Sequence, residues 1–119
     1  MKYKYSSADA RTFHKYGVDI TSYDIHHPGC NFVYESVKEG HFEEFSSDVS
    51  TYIWFIIDGK GTYVIDDEHI AVARHDVIVV PPKHRIHYFG SMSMLLITSP
   101  PYNEKNEHHI RLINKSEKP

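Results

Sequence analysis

The 119-residue sequence predicts an all-β fold, a sandwich or a barrel, from three observations. Short runs rich in Val, Ile, Tyr and Phe recur along the chain. Gly, Pro, Asp or Asn bounds most of them, and only one segment carries helix start and stop signals. Many short strands with turns at this interval must pack face to face or close on themselves to bury their apolar sides.

The helix signal comes first: Ser6 or Ser7 as cap, a short segment through Tyr16, and Gly17 as stop. Strands are then predicted over 18–25, 31–38, 51–57, 62–65, 70–73, 77–80 and 92–98. Asp58-Gly59-Lys60-Gly61 reads as a tight hairpin connection, because its two glycines can take positive φ. Asp66-Asp67-Glu68 is a second, more polar turn. Pro100-Pro101-Tyr102 ends the apolar strand before it, since proline cannot donate to a ladder; Tyr102 then either closes over a barrel mouth or packs in the turn. Glu104-Lys105-Asn106-Glu107 reads as a solvated stretch and 115–119 as a frayed end. Without linker or repeat, the expectation is one domain over 1–119 with its core barrel at about 18–113.

Composition narrows the function classes. Hydrophobic residues at 40% and charged residues at 24% are ordinary for a soluble globule, and a net charge of −3 without a basic block argues against a nucleic-acid partner. The first residues lack the apolar core of a signal peptide, and no apolar run reaches membrane-helix length, so a cytoplasmic protein without membrane contact is expected. Cys30 stands alone, which excludes an intrachain disulfide or a thiolate zinc site and predicts an inert, buried thiol. The adjacent pairs His26-His27 and His108-His109 read as surface histidines.

The window from Gly40 to Gly90 carries the most specific spacing. Five residues separate Gly40 from Ser46, which Asp48, Tyr52 and Gly59 follow; six steps from His75 reach Pro81, then Lys83, Ile86 and Gly90. This resembles the two cupin motifs, G-x5-H-x-H-x3-E-x6-G and G-x5-P-x-G-x2-H-x3-N, over the middle half of the chain. The resemblance implies a small single-domain cupin: a double-stranded β-helix, or jelly-roll barrel, that forms a homodimer. Such proteins carry three His and one Glu as metal ligands, where this chain has Ser46, Asp48, Tyr52 and Ile86. The resemblance therefore implies no metal or other cofactor here.

Alternation of side chains along strands sorts these positions by face. Ser46 and Asp48 share one face, and backward parity adds Phe42 and Glu44; Tyr52, Trp54 and Ile56 share another, as do His84, Ile86 and Tyr88. His41, Glu43 and His87 fall on the outward parity. The candidate ligand-binding residues are thus Glu44, Ser46, Asp48, Tyr52, Trp54, His84, Ile86 and Tyr88. Carboxylates on an inward face are costly unless paired or hydrated, which favours a pocket over a filled core.

Carboxylate, hydroxyl, phenol and imidazole beside aromatic faces suit a small polar ligand such as a carbohydrate or nucleotide sugar. The same groups could move protons in an isomerase or epimerase, with Asp48 or His84 as base and Tyr52 as acid. Two other readings stay open. One is a metal-dependent cupin with rearranged ligands, Asp48 and His84 with Glu44 or Tyr52. The other is a non-catalytic, dimeric scaffold with a filled barrel.

Overall fold

The computed structural model describes residues 2–119 and is all-β, as the sequence predicts. Nine strands form one curled sheet: β1 (Arg11–Lys15), β2 (Val18–Tyr23), β3 (Asn31–Val37), β4 (Gly40–Ser47), β5 (Thr51–Ile65), β6 (Glu68–Ala73), β7 (Val77–Val80), β8 (Ile86–Ser99) and β9 (Glu107–Leu112).

The long strands β5 and β8 pair with each other throughout and belong to both walls of the curl. One wall runs β1-β2-β3-β8-β5-β7, using the C-terminal half of β8 and the N-terminal half of β5. The other runs β9-β4-β8-β5-β6 and uses the opposite halves. All these pairings are antiparallel, so each strand can bury one face and leave the other to solvent.

Asp58-Gly59-Lys60-Gly61 is therefore not a hairpin: β5 runs straight through it, in register with β8 from Thr51↔Ser99 to Ile65↔Ile86. Its glycines serve close approach instead. Gly61 lies opposite Gly90, and a Cβ on Gly61 would sit 2.2 Å from the Phe89 carbonyl oxygen. A register shift between Ile56 and Asp58 adds a bulge at the same place. The extra residue reverses the parity of β5. Tyr52, Trp54 and Ile56 are buried before it, Tyr63 after it.

The Asp66-Asp67 turn matches expectation. Both residues have positive φ, 50° and 70°, which gives the two-residue connection between β5 and β6 the twist a hairpin needs. The helix expected from Ser6 or Ser7 to Tyr16 does not form. Only a 3-10 turn, Ser7–Asp9, is present, and β1 follows at once. β1 hairpins onto β2 through Tyr16 and Gly17. All five β1 residues are exposed, so backbone pairing rather than an apolar stripe places the strand. Among the described residues, no helix is long and apolar enough to cross a membrane.

The core lies between the walls. Val18, Val33, Trp54, Ile56, Val80 and Met94 belong to its main cluster. A smaller cluster of Val64, Phe89 and Ile113, with Phe42 against it, sits outside β4 and β8 and pins the chain beyond β9.

Candidate active site

The barrel is not filled. A cavity of about 340 Å³ remains between the walls, within the range of small-molecule sites. Val33, Phe45, Trp54, Tyr88 and Leu96 form its apolar surface. Its polar groups are Glu35, His41, Glu43 and Glu107, with Arg11 and Lys15 brought in by β1. Tyr102 also lines it, on the turn after β8, where closure over the mouth had been one of two expectations.

Three expected residues, Tyr52, Trp54 and Tyr88, line this cavity. Ile86 points inward but packs in the core. The expected inward placement of Glu44, Ser46 and Asp48 is corrected: on β4 the cavity-facing residues are His41, Glu43 and Phe45, one step out of phase. Asp48 instead pairs with His108 outside, at 2.8 Å. His84 lies on a turn rather than a strand, so alternation does not apply to it, and it binds Asp66 at the surface. Cys30 is half-buried rather than buried, and is not part of the cavity lining.

Glu44 is nonetheless almost fully buried, on the outer face of β4. Arg85 from the turn before β8 and Arg111 from β9 reach it at 3.3 and 3.4 Å, and His87 Nδ1 approaches to 3.5 Å. This ion cluster clamps β9 against β4. His109 on β9 adds a 2.7 Å contact to Glu43. The clamp holds Glu107, the first residue of β9, against the cavity.

Four groups in the cavity can move or hold protons. His41 stacks on Tyr88 with ring centroids 5.2 Å apart, and burial lowers its pKa to about 4. It is thus a neutral imidazole at physiological pH, and its buried Nδ1 has no hydrogen-bond partner. Tyr52 donates its hydroxyl hydrogen to Glu107 Oε2 at 2.6 Å. Burial raises the pKa of Glu107, against the Tyr52 hydrogen bond that lowers it. Tyr52 is raised too, by burial first and then by the Glu107 charge. Lys15 supplies positive potential that lowers both His41 and Glu107. Deeper in, Glu35 Oε1 accepts from Trp54 Nε1 at 3.0 Å and from the Tyr88 hydroxyl at 3.2 Å.

Comparison with known proteins places this geometry. The solved structure of Pac13, a nucleoside dehydratase, is 41% identical and superposes with a TM-score of 0.97, covering 100% of this chain and 99% of that one. The chain belongs to the cupin family that includes Pac13. Structures of Streptomyces Pac13 variants with uridine superpose equally well, with a TM-score of 0.97 at 40% identity. KdgF from Halomonas, 12% identical with a TM-score of 0.74 over 88% of this chain and 99% of that one, shares the fold. No family model matches the sequence. The uncharacterized protein MJ1618 of Methanocaldococcus jannaschii is 33% identical over 58 residues, 45% of this chain, and the match spans about half of that relative, 46%.

The residues of this cupin do not fit the metal its fold usually holds. Among the described residues, no three His, Cys, Asp or Glu side chains converge as a metal site. Ser46 and Asp48 lie outside the cavity lining, and Ile86 has no donor atom. Their cavity-side neighbours are no better: Phe45 is apolar, and the Ser47 hydroxyl already accepts from the backbone N–H groups of Val49 and Ser50.

Glu35, His41, Glu43, Glu107 and Lys15 are the site residues that sequence reasoning missed. Glu107 had been assigned to a solvated stretch, His41 and Glu43 to the outward face, and Lys15 to a helix. One signal was available. Alternation back from Ser47 instead of Ser46 groups Phe45, Glu43 and His41 on one side.

Proposed function

We propose that this cupin binds a nucleoside in its cavity and eliminates water from the sugar, without a metal or other cofactor. One observation carries the reading. Neutral His41, with a free Nδ1, lies against Tyr88 in the same cavity as the Tyr52–Glu107 pair, a base and an acid in one enclosed site.

The similarity to Pac13 supports this assignment. Its uridine complexes include variants at one histidine and two tyrosines. That histidine and one of the tyrosines are as far apart in Pac13 as His41 and Tyr88 are here. The step from the same histidine to the other tyrosine lands here on Trp54.

The chemistry balances without an oxidant. His41 takes a proton from a sugar carbon made acidic by a neighbouring electron-withdrawing group. The electron pair left behind forms a carbon–carbon double bond and expels a hydroxyl from the adjacent carbon. Glu107 protonates that hydroxyl, which leaves as water. Its Oε2 is engaged by Tyr52, which leaves Oε1 to deliver the proton. A raised pKa keeps such an acid charged with its proton at higher pH than an ordinary carboxylate. Sugar isomerisation, which returns the proton to carbon, would leave Glu107 and Tyr52 without a task.

Two measurements test the reading. Uridine should bind in calorimetric titration. A uridine derivative with a carbonyl on its sugar should lose the mass of one water on incubation, and His41→Gln should slow this at least about a hundredfold while leaving binding largely intact. Absence of uridine binding, or unchanged turnover in His41→Gln, would defeat the proposal.

A further inference from the structure

We propose that Glu35 is a ligand-contacting residue: it carries a proton and presents it from Oε2 into the cavity as a hydrogen-bond donor for an acceptor oxygen of the bound molecule. Within the nucleoside reading, on which the choice of probe rests, that acceptor is a carbonyl or hydroxyl oxygen of the nucleoside.

Three features of the site lead there. First, Glu35 lines the cavity from β3 and is 6% exposed, and no Lys, Arg or His pairs with it among the described residues. The nearest polar groups are neutral: the Trp54 indole and the Tyr88 hydroxyl, with Tyr63 stacked on Tyr88 at 4.7 Å. A buried carboxylate without a cation is costly, whereas a buried carboxylic acid is tolerated. Burial correspondingly raises the Glu35 pKa, against the two hydrogen bonds that lower it.

Second, the two donors converge on the same oxygen. Oε1 accepts from both Trp54 and Tyr88, so the proton of the neutral acid belongs on Oε2, which makes no hydrogen bond to the described residues. An O–H without a protein acceptor, on a group that lines a cavity, is a donor awaiting a ligand.

Third, the carboxyl is held in place by the aromatic residues that shape the cavity. Trp54 stacks between Tyr52 and Tyr63, at 5.6 and 5.2 Å, and Tyr88 stacks on both His41 and Tyr63. The indole N–H is occupied by Glu35 and unavailable to a ligand. Glu35 is thus the polar contact that this part of the cavity has left to offer.

The test uses Glu35→Gln and Glu35→Leu. Gln keeps an acceptor for Trp54 and Tyr88 and an N–H donor on the cavity side; Leu keeps the approximate volume and removes both. Infrared difference spectra of wild type against Glu35→Gln at neutral pH, without ligand, should show the carbonyl stretch of a protonated carboxyl. Uridine titrations should give an affinity for Glu35→Gln within about threefold of wild type, and a loss of about tenfold or more for Glu35→Leu. Should Glu35→Leu fail to fold, the infrared spectrum and the Gln variant decide alone. Carboxylate bands in place of the carbonyl stretch would overturn the proposal. So would tenfold weakening in Glu35→Gln, or wild-type affinity in Glu35→Leu. If wild type shows the protonated carboxyl but binds no uridine, the nucleoside reading fails while the protonated donor stands.

Discussion

His41 and Tyr88 stack nearly parallel in the cavity, their ring centroids 5.2 Å apart and their planes 17° from coplanar. They stand opposite each other in the ladder between β4 and β8, so backbone register fixes the pair. The stack buries the imidazole without satisfying it, since Nδ1 has no partner. That combination makes a weakly basic, neutral histidine, poised to take a proton as soon as a carbon acid is brought against it.

The depressed His41 pKa predicts a pH signature in stability. Its value is about 4 in the folded protein, against an ordinary 6.5, so between those pH values the unfolded chain binds a proton that the folded chain does not. Stability from this group is full above pH 6.5 and is lost as pH falls through 4. The whole effect is about 3 kcal/mol. Urea unfolding from pH 7 to pH 4 should therefore show a steeper loss for wild type than for His41→Gln. Parallel curves would mean that His41 titrates normally.

Gly61→Ala should be among the most damaging single-methyl additions in the chain. The new Cβ would meet the Phe89 carbonyl at 2.2 Å and push β5 away from β8 where both cross from one wall to the other. A loss of about 3 kcal/mol is expected by chemical denaturation, or failure to fold. A change under about 0.5 kcal/mol would show that the two strands need no close approach there.

The Trp54 indole N–H is predicted to stabilise the fold through Glu35. Trp54→Phe removes the 3.0 Å donor and some buried aromatic area, and should cost about 2–4 kcal/mol. In Glu35→Leu, the same Trp54 change should cost measurably less, because the hydrogen bond is already gone. Equal losses in both backgrounds, measured by denaturation, would remove the bond from the account.

The homodimer expected of a small cupin also has a surface to use. Phe55, Val77 and Val79 stand outward on β5 and the unpaired edge of β7, the two valines 54% and 55% exposed. Light scattering after size exclusion should give twice the chain mass for wild type and the chain mass for Val79→Lys. A monomeric wild type would end the expectation, and a dimeric Val79→Lys would move the interface elsewhere.

The fold was largely legible in the residues, because strand-forming runs and the Asp66-Asp67 turn signal themselves locally. What stayed hidden were the elements without an apolar pattern. β1 has no buried residue, and β9 is zipped to β4 by histidine–carboxylate contacts, His108 to Asp48 and His109 to Glu43. The elements that carry Lys15 and Glu107 therefore look like a capped helix and a solvated loop. Tyr52, Trp54 and Tyr88 were found because large aromatic residues on alternating strands signal an interior. Glu44, Ser46 and Asp48 were misplaced because a motif frame one residue out of phase turns every side chain of a strand to the other face. Glu44 shows the limit of burial as a guide, since it is buried on the wrong side, under Arg85 and Arg111.

A crystal structure of the chain soaked with uridine tests the central claim most directly. The account predicts density for the nucleoside in the cavity between the two walls, with its sugar in reach of His41 Nδ1 and Glu107 and an acceptor oxygen toward Glu35. Uridine bound elsewhere on the molecule, or a cavity that stays empty at saturating uridine, would contradict it.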